Sequence, residues 1–233
     1  MVYAALLAGG IGTRTGSKFP KQFLKLNNRP MITYCIDNFI MLDEFKEIIV
    51  SSPPKFLQNT RKIMDDYFPT EDRIVVIEGG ETRQDTILNS INYIESIASN
   101  DDPIIVTHDA ARIFVSPELI KTSICNAKKY GAASPVIPAI DVMVESKENG
   151  IIESMPIREN IFHVQTPQAF KAFKFKKIYE NMSSEEKDIV KEATKLFFMK
   201  GEEVFLFEGE DTNFKITTSS DLKMAEVLLK NNL

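Results

Sequence analysis

Two cations, Arg14 and Lys21, follow a glycine-rich stretch near the start of the chain, and these residue types together can bind a polyphosphate. The stretch Ala8-Gly9-Gly10-Ile11-Gly12 comes directly after an apolar run, and its small residues let successive backbone N–H groups point inward. Gly16 and Pro20 bend the segment between the two cations, so that both can reach one phosphate chain. The pattern therefore predicts a triphosphate site.

Two common nucleotide-binding motifs are excluded by the spacing of this segment. The glycines run G-x-G-x-x-x-G from Gly10 to Gly16, one residue longer than the dinucleotide fingerprint, and the next apolar run ends at Ser51-Ser52 without an acidic residue for a ribose. No Gly-Lys-Ser/Thr triplet closes the loop, so it is not a Walker A motif. A plain structural turn is the alternative interpretation of the glycines alone.

A carboxylate, Asp109, follows a second buried run, Pro103 to Thr107, and is a candidate metal ligand. Mg²⁺ binds hard oxygen donors together with phosphate oxygens, so an acidic residue at a strand end beside a triphosphate predicts a magnesium site. The alternative is a helix cap for the next turn. Arg112 would then face the phosphate of a second substrate or brace the carboxylate.

The composition excludes several classes of protein. The formal charge of −5, with Lys and Arg scattered over 233 residues, argues against nucleic-acid binding. Cys35 and Cys125 are isolated and are predicted to be core residues of a reducing compartment. The two histidines, His108 and His163, lack metal-site spacing and are predicted to pack or to form hydrogen bonds. No membrane-spanning or leader pattern is present, so a cytoplasmic protein is expected.

The elements that must position these residues alternate between strand and helix. Such alternation predicts one α/β domain over residues 1–233, with a Rossmann-like, mainly parallel sheet, helices on both faces, and ligands beyond the carboxyl ends of the strands. Helices are expected at 30–41, from 55 to about 67, at 83–97, 117–130 and 183–199, and after Thr218, and strands at 2–7, 47–51, 74–77, 103–107, 132–137 and 204–208.

An excursion of about residues 139–160 interrupts this alternation. Residues 140–145 and 151–155 are two alternating segments on either side of an Asn149-Gly150 pair, which is typical of a β-hairpin. A hairpin inserted into a parallel core is expected to act outside that core.

The glycine-rich segment, LLAGGIGTRTGSKFPKQFLKLNNRPM, resembles the signature of the polyol-phosphate cytidylyltransferases, which include the ribitol-phosphate and methylerythritol-phosphate enzymes. The resemblance continues in GGETRQD (79–85), THDAAR (107–112), PIRENIFHVQTPQAF (156–170) and NFKITTSSDLKMAE (213–226). These motifs span nearly the whole chain in the expected order. They imply transfer of CMP from CTP to a polyol phosphate, with Mg²⁺ as cofactor and release of pyrophosphate.

The resemblance also implies a role for each candidate residue, and it implies a homodimer in which the excursion is an arm that reaches the partner's site. For Glu81 and Thr86 an ordinary helix start capped by Thr82 is the alternative. The implied roles are catalysis for Arg14, Lys21 and Lys215; nucleotide binding for Ala8, Gly9, Gly10, Gly12, Gly80, Glu81 and Thr86; substrate binding for Arg112, Asp141, Arg158 and Thr166; and metal binding for Asp109 and Asn213.

Two departures from the family pattern bear on the acceptor. Val142 stands where the family commonly has threonine, and Ile113 stands where it commonly has proline. We favour ribitol 5-phosphate as the acceptor, with 2-C-methyl-D-erythritol 4-phosphate of isoprenoid biosynthesis as the alternative. Two other hypotheses are a uridylyl- or guanylyltransferase acting on a sugar phosphate, and a nucleotide-binding regulatory protein without catalysis. A protein without catalysis should have lost at least one of the candidate charged residues, but all four are present: Arg14, Lys21, Asp109 and Lys215.

Overall fold

A mainly parallel sheet lies at the centre of the computed structural model, which describes residues 1–9, 20–98, 102–147 and 150–231. The first half contains β1 (Val2–Leu7), β2 (Lys25–Leu26), β3 (Arg29–Pro30), α1 (Met31–Ile40), β4 (Phe45–Ser52), α2 (Leu57–Tyr67), β5 (Ile74–Glu78) and α3 (Arg83–Ile97). The second half contains β6 (Ile104–Asp109), α4 (Pro117–Tyr130), β7 (Ala132–Pro138), β8 (Glu145–Ser146), β9 (Ile152–Ser154), β10 (Phe162–Val164), β11 (Gln168–Lys171), α5 (Ala172–Glu180), α6 (Ser184–Ile189), α7 (Ala193–Met199), β12 (Phe205–Glu208) and α8 (Ser219–Lys230).

The strand pairing brings three carboxyl ends to one edge. Strand β1 lies between β4 and β6, all parallel, and Leu7 at its end pairs with Ser51 of β4 and with Asp109 of β6. β5 continues the sheet beyond β4 in parallel. β11 runs antiparallel between β6 and β7, while β10 and β12 also pair with β7. The predicted α/β fold class is confirmed, and the carboxyl edge, where sheets of this kind bind their ligands, lies beyond Leu7, Ser51 and Asp109.

Alternate side chains of β1 enter two separate hydrophobic layers. Ala4 and Leu6 pack with apolar residues of α1 and α4 on one face of the sheet. Tyr3 and Ala5 pack with apolar residues of α3, α5 and α7 on the other face. Because β1 is covered on both faces, nearly its whole length is apolar, which is the pattern expected for a central parallel strand.

Side-chain caps fix the helix ends that the sequence predicts. Thr82 accepts from the backbone of Asp85 in a capping box, and Thr218 caps α8 in the same way. Ser116 caps α4, whose last turn ends at Gly131 with φ of 88°, a conformation that favours glycine. The helices expected at 83–97, at 117–130 and after Thr218 are therefore confirmed. No helix in the described ranges is both long enough and apolar enough to cross a bilayer.

Two predictions made from the sequence are wrong. The expected helix 183–199 is broken into α6 and α7, because Val190 and Glu192 adopt extended backbone angles and Gln84 of α3 donates to the carbonyl oxygen of Val190 at 3.4 Å. Tertiary contacts override a helical pattern that contains no Gly or Pro. Cys125 is exposed rather than in the core, since its position on α4 faces solvent, whereas Cys35 is buried as predicted.

In its described residues, 139–147 and 150–161, the excursion between β7 and β10 contains little regular structure. Its two strands, β8 and β9, pair at two register positions, and the backbone N–H of Ala139 donates to the carbonyl oxygen of Ile161 at its base. Most of its large apolar side chains face solvent, among them Ile140 at 80% and Ile157 at 67% exposure. We call residues 139–161 the arm.

Candidate active site

Two lysines that are far apart in sequence meet at the carboxyl edge of the sheet. The Lys21 ammonium donates to the carbonyl oxygen of Ile216 at 2.8 Å. Lys215, the preceding residue, places its ammonium 2.7 Å from Oδ2 of Asp109. The backbone N–H of Ile216 also donates to the carbonyl oxygen of Ala111, which ties this segment to the end of β6. The predicted catalytic lysines and the predicted metal ligand therefore form one cluster.

Asp109 is surrounded by positive charge. Its Oδ1 lies 3.5 Å from Nε of Arg83, and its Oδ2 lies 3.8 Å from Nε of Arg112 as well as close to Lys215. Burial favours the protonated acid, but the charges of Arg83, Lys215 and Arg112 outweigh it and hold the pKa of Asp109 well below its usual range. The carboxylate is therefore kept ionised and oriented by cations of its own chain.

A buried hydrogen-bonded chain lies behind this carboxylate. Nε2 of His108 is 2.9 Å from the carbonyl oxygen of Arg112, so this nitrogen carries the proton. The hydroxyl of Thr166 then donates to Nδ1 of His108 at 3.0 Å and accepts from the backbone N–H of Asp109. Burial lowers the pKa of His108 to about 4, so the ring is neutral near pH 7. The predicted hydrogen-bonding role of His108 is confirmed, and that role is to fix Thr166 and Asp109 relative to each other.

Asn213 anchors the segment that carries Lys215. Its side-chain amide donates to the carbonyl oxygen of Thr166 at 2.7 Å, and its backbone carbonyl oxygen accepts from the Arg112 guanidinium. Gln165 bonds the backbone of Glu210 in both directions and so clamps the same loop. Asn213 is fully buried, and its Oδ1 accepts no hydrogen bond from the described residues. Its geometry explains the position of Lys215, while its role as a metal ligand stays a prediction.

The turn from Gly79 to Thr86 forms the neighbouring wall, after β5. The backbone N–H of Gly80 donates to Oγ1 of Thr86, which in turn donates to the carbonyl oxygen of Thr82. A Cβ at Gly80 would lie 2.3 Å from Cβ of Asp85, so the close backbone approach requires glycine there. Thr86 is buried and uses its hydroxyl to shape this turn, and a side chain at Gly9 would contact that hydroxyl. Glu81 is exposed beside it.

The remaining candidates are Ala8, two residues of the arm, and three residues outside the described ranges. Ala8 is buried at the end of β1, and Gln22 donates to its carbonyl oxygen. Asp141 and Arg158 are exposed on the arm, and the recorded polar contacts of Arg158 are with Ile140 and Glu159 of the same arm. Three predicted site residues, Gly10, Gly12 and Arg14, fall outside the described residues.

Arg83 and Glu192 belong to the site and were not predicted from the sequence. Arg83 begins α3 and lies between Asp109 and Glu192, with its Nη1 3.4 Å from Oε2 of Glu192. A cation in the first turn of a helix opposes the helix dipole, and this local conflict was the available signal. Glu192 gave no such signal, because the sequence predicts an uninterrupted helix around it.

A mainly parallel sheet whose carboxyl edge carries cations beside a carboxylate fits a nucleotidyltransferase, because ligands of such sheets bind at this edge and cations there can neutralise phosphate charge. The family model described as IspD, 2-C-methyl-D-erythritol 4-phosphate cytidylyltransferase, matches residues 2–231, and the chain belongs to that family. The predicted enzyme class, a CTP-dependent cytidylyltransferase, is confirmed by this membership.

Solved structures of similar chains agree with this assignment. The 2-C-methyl-D-erythritol 4-phosphate cytidylyltransferase of Thermus thermophilus is 30% identical over 98% of both chains, with a TM-score of 0.75. The enzyme of the same description from Francisella tularensis is 28% identical over 97% of this chain and 98% of that one, with a TM-score of 0.78. The 4-diphosphocytidyl-2C-methyl-D-erythritol synthase of Anaerococcus prevotii has 23% identity, 98% coverage of each chain and a TM-score of 0.80, a likeness in fold.

Proposed function

We propose that this protein transfers CMP from CTP to 2-C-methyl-D-erythritol 4-phosphate and releases pyrophosphate. The observation that carries the proposal is the match of the family model named for this acceptor over residues 2–231. The described relatives named for the same acceptor support it. Ribitol 5-phosphate, which we favoured from the sequence, receives no specific support from these comparisons. It is kept as a competing acceptor in the experiment below.

The reaction needs positioning and charge neutralisation more than acid–base chemistry. A phosphate oxygen of the acceptor forms a bond to the α-phosphorus of CTP while the bond from that phosphorus to the β-phosphate bridging oxygen breaks, and pyrophosphate leaves with the electron pair. The attacking phosphate is already anionic near neutral pH. Catalysis therefore requires cations where negative charge develops and a fixed approach of the two phosphates.

The described residues suit these tasks. Lys21 and Lys215 lie at the carboxyl edge, where they would neutralise the α-phosphate, with Arg14 as the predicted partner on the outer phosphates. Arg112 and Thr166 would contact the acceptor. Both lie beside Asp109, because Thr166 bonds the Asp109 N–H and the His108 ring, and the same ring bonds the Arg112 carbonyl oxygen. The turn at Gly80, Glu81 and Thr86, together with Ala8 and Gly9, would hold the cytosine, and Thr86 would act there by fixing the Gly80 N–H.

Mg²⁺ is proposed as the cofactor, and Asp109 is the residue that suits it. The carboxylate is ionised, lies at the carboxyl edge, and presents hard oxygens of the kind that Mg²⁺ shares with phosphates. The unpartnered Oδ1 of Asn213 is a second candidate oxygen in the same hydrogen-bonded cluster. Within the described residues no group of three or more His, Cys, Asp or Glu side chains could hold a metal, so phosphate oxygens and water would complete the shell. Bound there, the ion would neutralise phosphate charge.

A homodimer is proposed as the working unit, with the arm as its contact. The arm exposes a series of large apolar side chains that a second copy would cover. Asp141 and Arg158 are exposed on this arm, and Arg158 bonds Ile140 and Glu159 of the arm rather than the Asp109 cluster of its own chain. They would reach the acceptor pocket of the partner, as the family resemblance implies.

The test is pyrophosphate release from CTP and Mg²⁺ with 2-C-methyl-D-erythritol 4-phosphate, ribitol 5-phosphate and glycerol 3-phosphate offered separately. We expect turnover with the first compound, and a kcat/KM at least about 100-fold lower with the other two, because unfilled hydrogen bonds in a polar pocket cost this much or more. UTP and GTP in place of CTP test the base. Preferential use of ribitol 5-phosphate would overturn the proposed acceptor and restore the other.

A further inference from the structure

The guanidinium of Arg83 lies between two carboxylates and is held by charge. Its Nε is 3.5 Å from Oδ1 of Asp109, and its Nη1 is 3.4 Å from Oε2 of Glu192. All three of its nitrogen atoms are shielded from solvent, and none forms a hydrogen bond with the described residues. The group therefore has unused donors that can tighten on either carboxylate.

The helix break between α6 and α7 lies beside Arg83. Arg83 and Gln84 are consecutive at the start of α3, and they contact Glu192 and Val190 respectively. Glu192 precedes α7 in extended conformation, which turns it out of the helical path that the sequence predicts. Gln84 supports the same break through a neutral hydrogen bond, which separates structural support from charge.

The two oxygens of Asp109 serve different partners. Oδ1 faces Arg83, while Oδ2 faces Lys215 at 2.7 Å and Arg112 at 3.8 Å. Lys215 has a long flexible side chain that is 36% exposed, so Asp109 is the contact that locates its ammonium. Rotation of the carboxylate would move the partner of that ammonium. The positive charge of Arg83 beside Oδ1 opposes this rotation.

We propose that Arg83, held by Glu192, is a positioning residue that fixes the carboxylate of Asp109 and, through it, the ammonium of Lys215. Three cations and two carboxylates then form one arrangement that connects the helix break to the reacting end of the site. The inference rests on the proposed function for its kinetic readout, but its labelling readout is independent of any substrate.

The experiment compares Arg83→Gln, Arg83→Lys, Glu192→Gln and the double variant Arg83→Gln/Glu192→Gln with the wild-type chain. Two variants serve as matched controls. Arg73→Gln removes a half-buried, carboxylate-paired arginine just before β5, at the opposite edge of the sheet. Gln84→Met removes the neutral hydrogen bond to the helix break and leaves every charge in place.

Three quantities are measured for each variant. They are kcat and KM in the pyrophosphate assay, the dissociation constant for CTP by calorimetry without acceptor, and the rate at which an amine-reactive ester modifies Lys215. Peptide mass spectrometry reports the last rate relative to Lys171, whose ammonium bonds the carbonyl oxygen of Asp102 away from the cluster. Circular dichroism confirms that each variant is folded.

We expect Arg83→Gln to lower kcat about 10- to 100-fold, as small misplacements of a catalytic group do, with CTP affinity changed less than about threefold. Lys215 should be modified faster. Arg83→Lys should recover part of kcat, and Glu192→Gln should lower it less than Arg83→Gln does. The double variant should be no slower than Arg83→Gln, because Glu192 acts through Arg83. Arg73→Gln should change kcat by less than about threefold, and Gln84→Met should lower it less than Glu192→Gln does, although both controls are expected to lose stability.

Several results would overturn the inference. They are an unchanged kcat and Lys215 modification rate in Arg83→Gln, a loss of CTP affinity equal to the loss of kcat, or effects of the two single variants that multiply. If Arg83→Gln fails to fold, Arg83→Lys and Glu192→Gln decide the matter by the same readouts. If the wild-type chain turns over no acceptor, the proposed function fails. The positioning role is then decided by the labelling alone, and an unchanged rate of Lys215 modification in Arg83→Gln would overturn it.

Discussion

The carboxyl edge of the sheet and the arm are built in opposite ways. At the edge, Asp109, Thr166 and His108 are buried and bonded to one another, so their geometry is complete within one chain. The arm has two short paired strands and a row of apolar side chains in solvent, including Ile140 and Ile152. The Asp109 cluster is therefore preorganised by contacts within one chain, whereas the arm leaves large apolar side chains exposed, as the proposed dimer contact requires.

The most severe test of the preorganised edge is Lys21→Ala. We expect turnover to fall by about 100- to 1,000-fold, as the loss of one donor to developing charge does, while the free energy of unfolding changes little. The measurement is kcat together with urea unfolding. Lys62→Ala on the exposed side of α2 is the control and should keep full activity. Near wild-type rates in Lys21→Ala would remove this lysine from the catalytic assignment.

The arm is tested by Ile140→Asp combined with Ile152→Asp. Each isoleucine buried in a dimer contact stabilises it by about 1.5–3 kcal/mol, so two aspartates should raise the dimer dissociation constant by about 100-fold or more. Because both residues are exposed in the single chain, the unfolding of the monomer should be unaffected. Sedimentation velocity over a concentration series gives the answer. A wild-type chain that is monomeric at all concentrations would contradict the role given to the arm.

His108→Leu and His108→Gln probe the hydrogen bonds of the buried edge. Leucine leaves the Thr166 hydroxyl and the Arg112 carbonyl oxygen without their partner, at a cost of about 1–3 kcal/mol for each group. Glutamine offers a donor and an acceptor of similar reach and should recover much of the loss. Urea unfolding at pH 7, in the presence of a chelator, gives the free energy of unfolding of both variants. Equal stability of the two variants would show that the hydrogen bonds contribute little.

The same histidine gives a pH dependence with a defined sign. Its pKa is lowered from the ordinary value of 6.5 to about 4 in the fold, so below pH 6.5 the unfolded chain takes up a proton that the folded chain refuses. Stability carried by the neutral ring is complete above pH 6.5 and is lost as the pH falls toward 4. His108→Gln should show a flatter profile across this interval. An identical slope in both proteins would contradict the neutral assignment.

Gly80→Ala is expected to have the smallest effect of the set. Its Cβ would lie 2.3 Å from Cβ of Asp85, and relief of such a clash typically costs about 1–3 kcal/mol. The turn should shift and the KM for CTP should rise by about 10-fold, with kcat changed less. Gly79→Ala is the matched control, because its Cβ would meet the Thr86 side chain at 3.3 Å, and we expect a milder rise.

Local sequence patterns predicted most helices and strands, whereas the features that depend on contacts between distant residues were not predicted. The alternation of strands and helices, the helix starts near Arg83 and after Thr218, and the acidic end of β6 follow from short-range chemistry and were predicted. The break at Val190 was not, because it depends on Gln84, 106 residues away. Of the site, the meeting of Lys21 and Lys215 follows from the family resemblance rather than from spacing. Arg83 was missed because its partners come from two distant segments.

Strand β7 leads into the arm and β10 leads out of it, and the two strands pair with each other in the sheet. β11 and β12, which follow the arm, also pair with β7. The segments before and after the arm are therefore joined by backbone hydrogen bonds within the sheet, and these bonds do not involve the arm. Consequently a protease cut within the arm should leave two polypeptides that run as one particle on a native gel and separate in denaturant. For the same reason residues 1–146 and 151–233, expressed as separate chains, should assemble into one folded molecule.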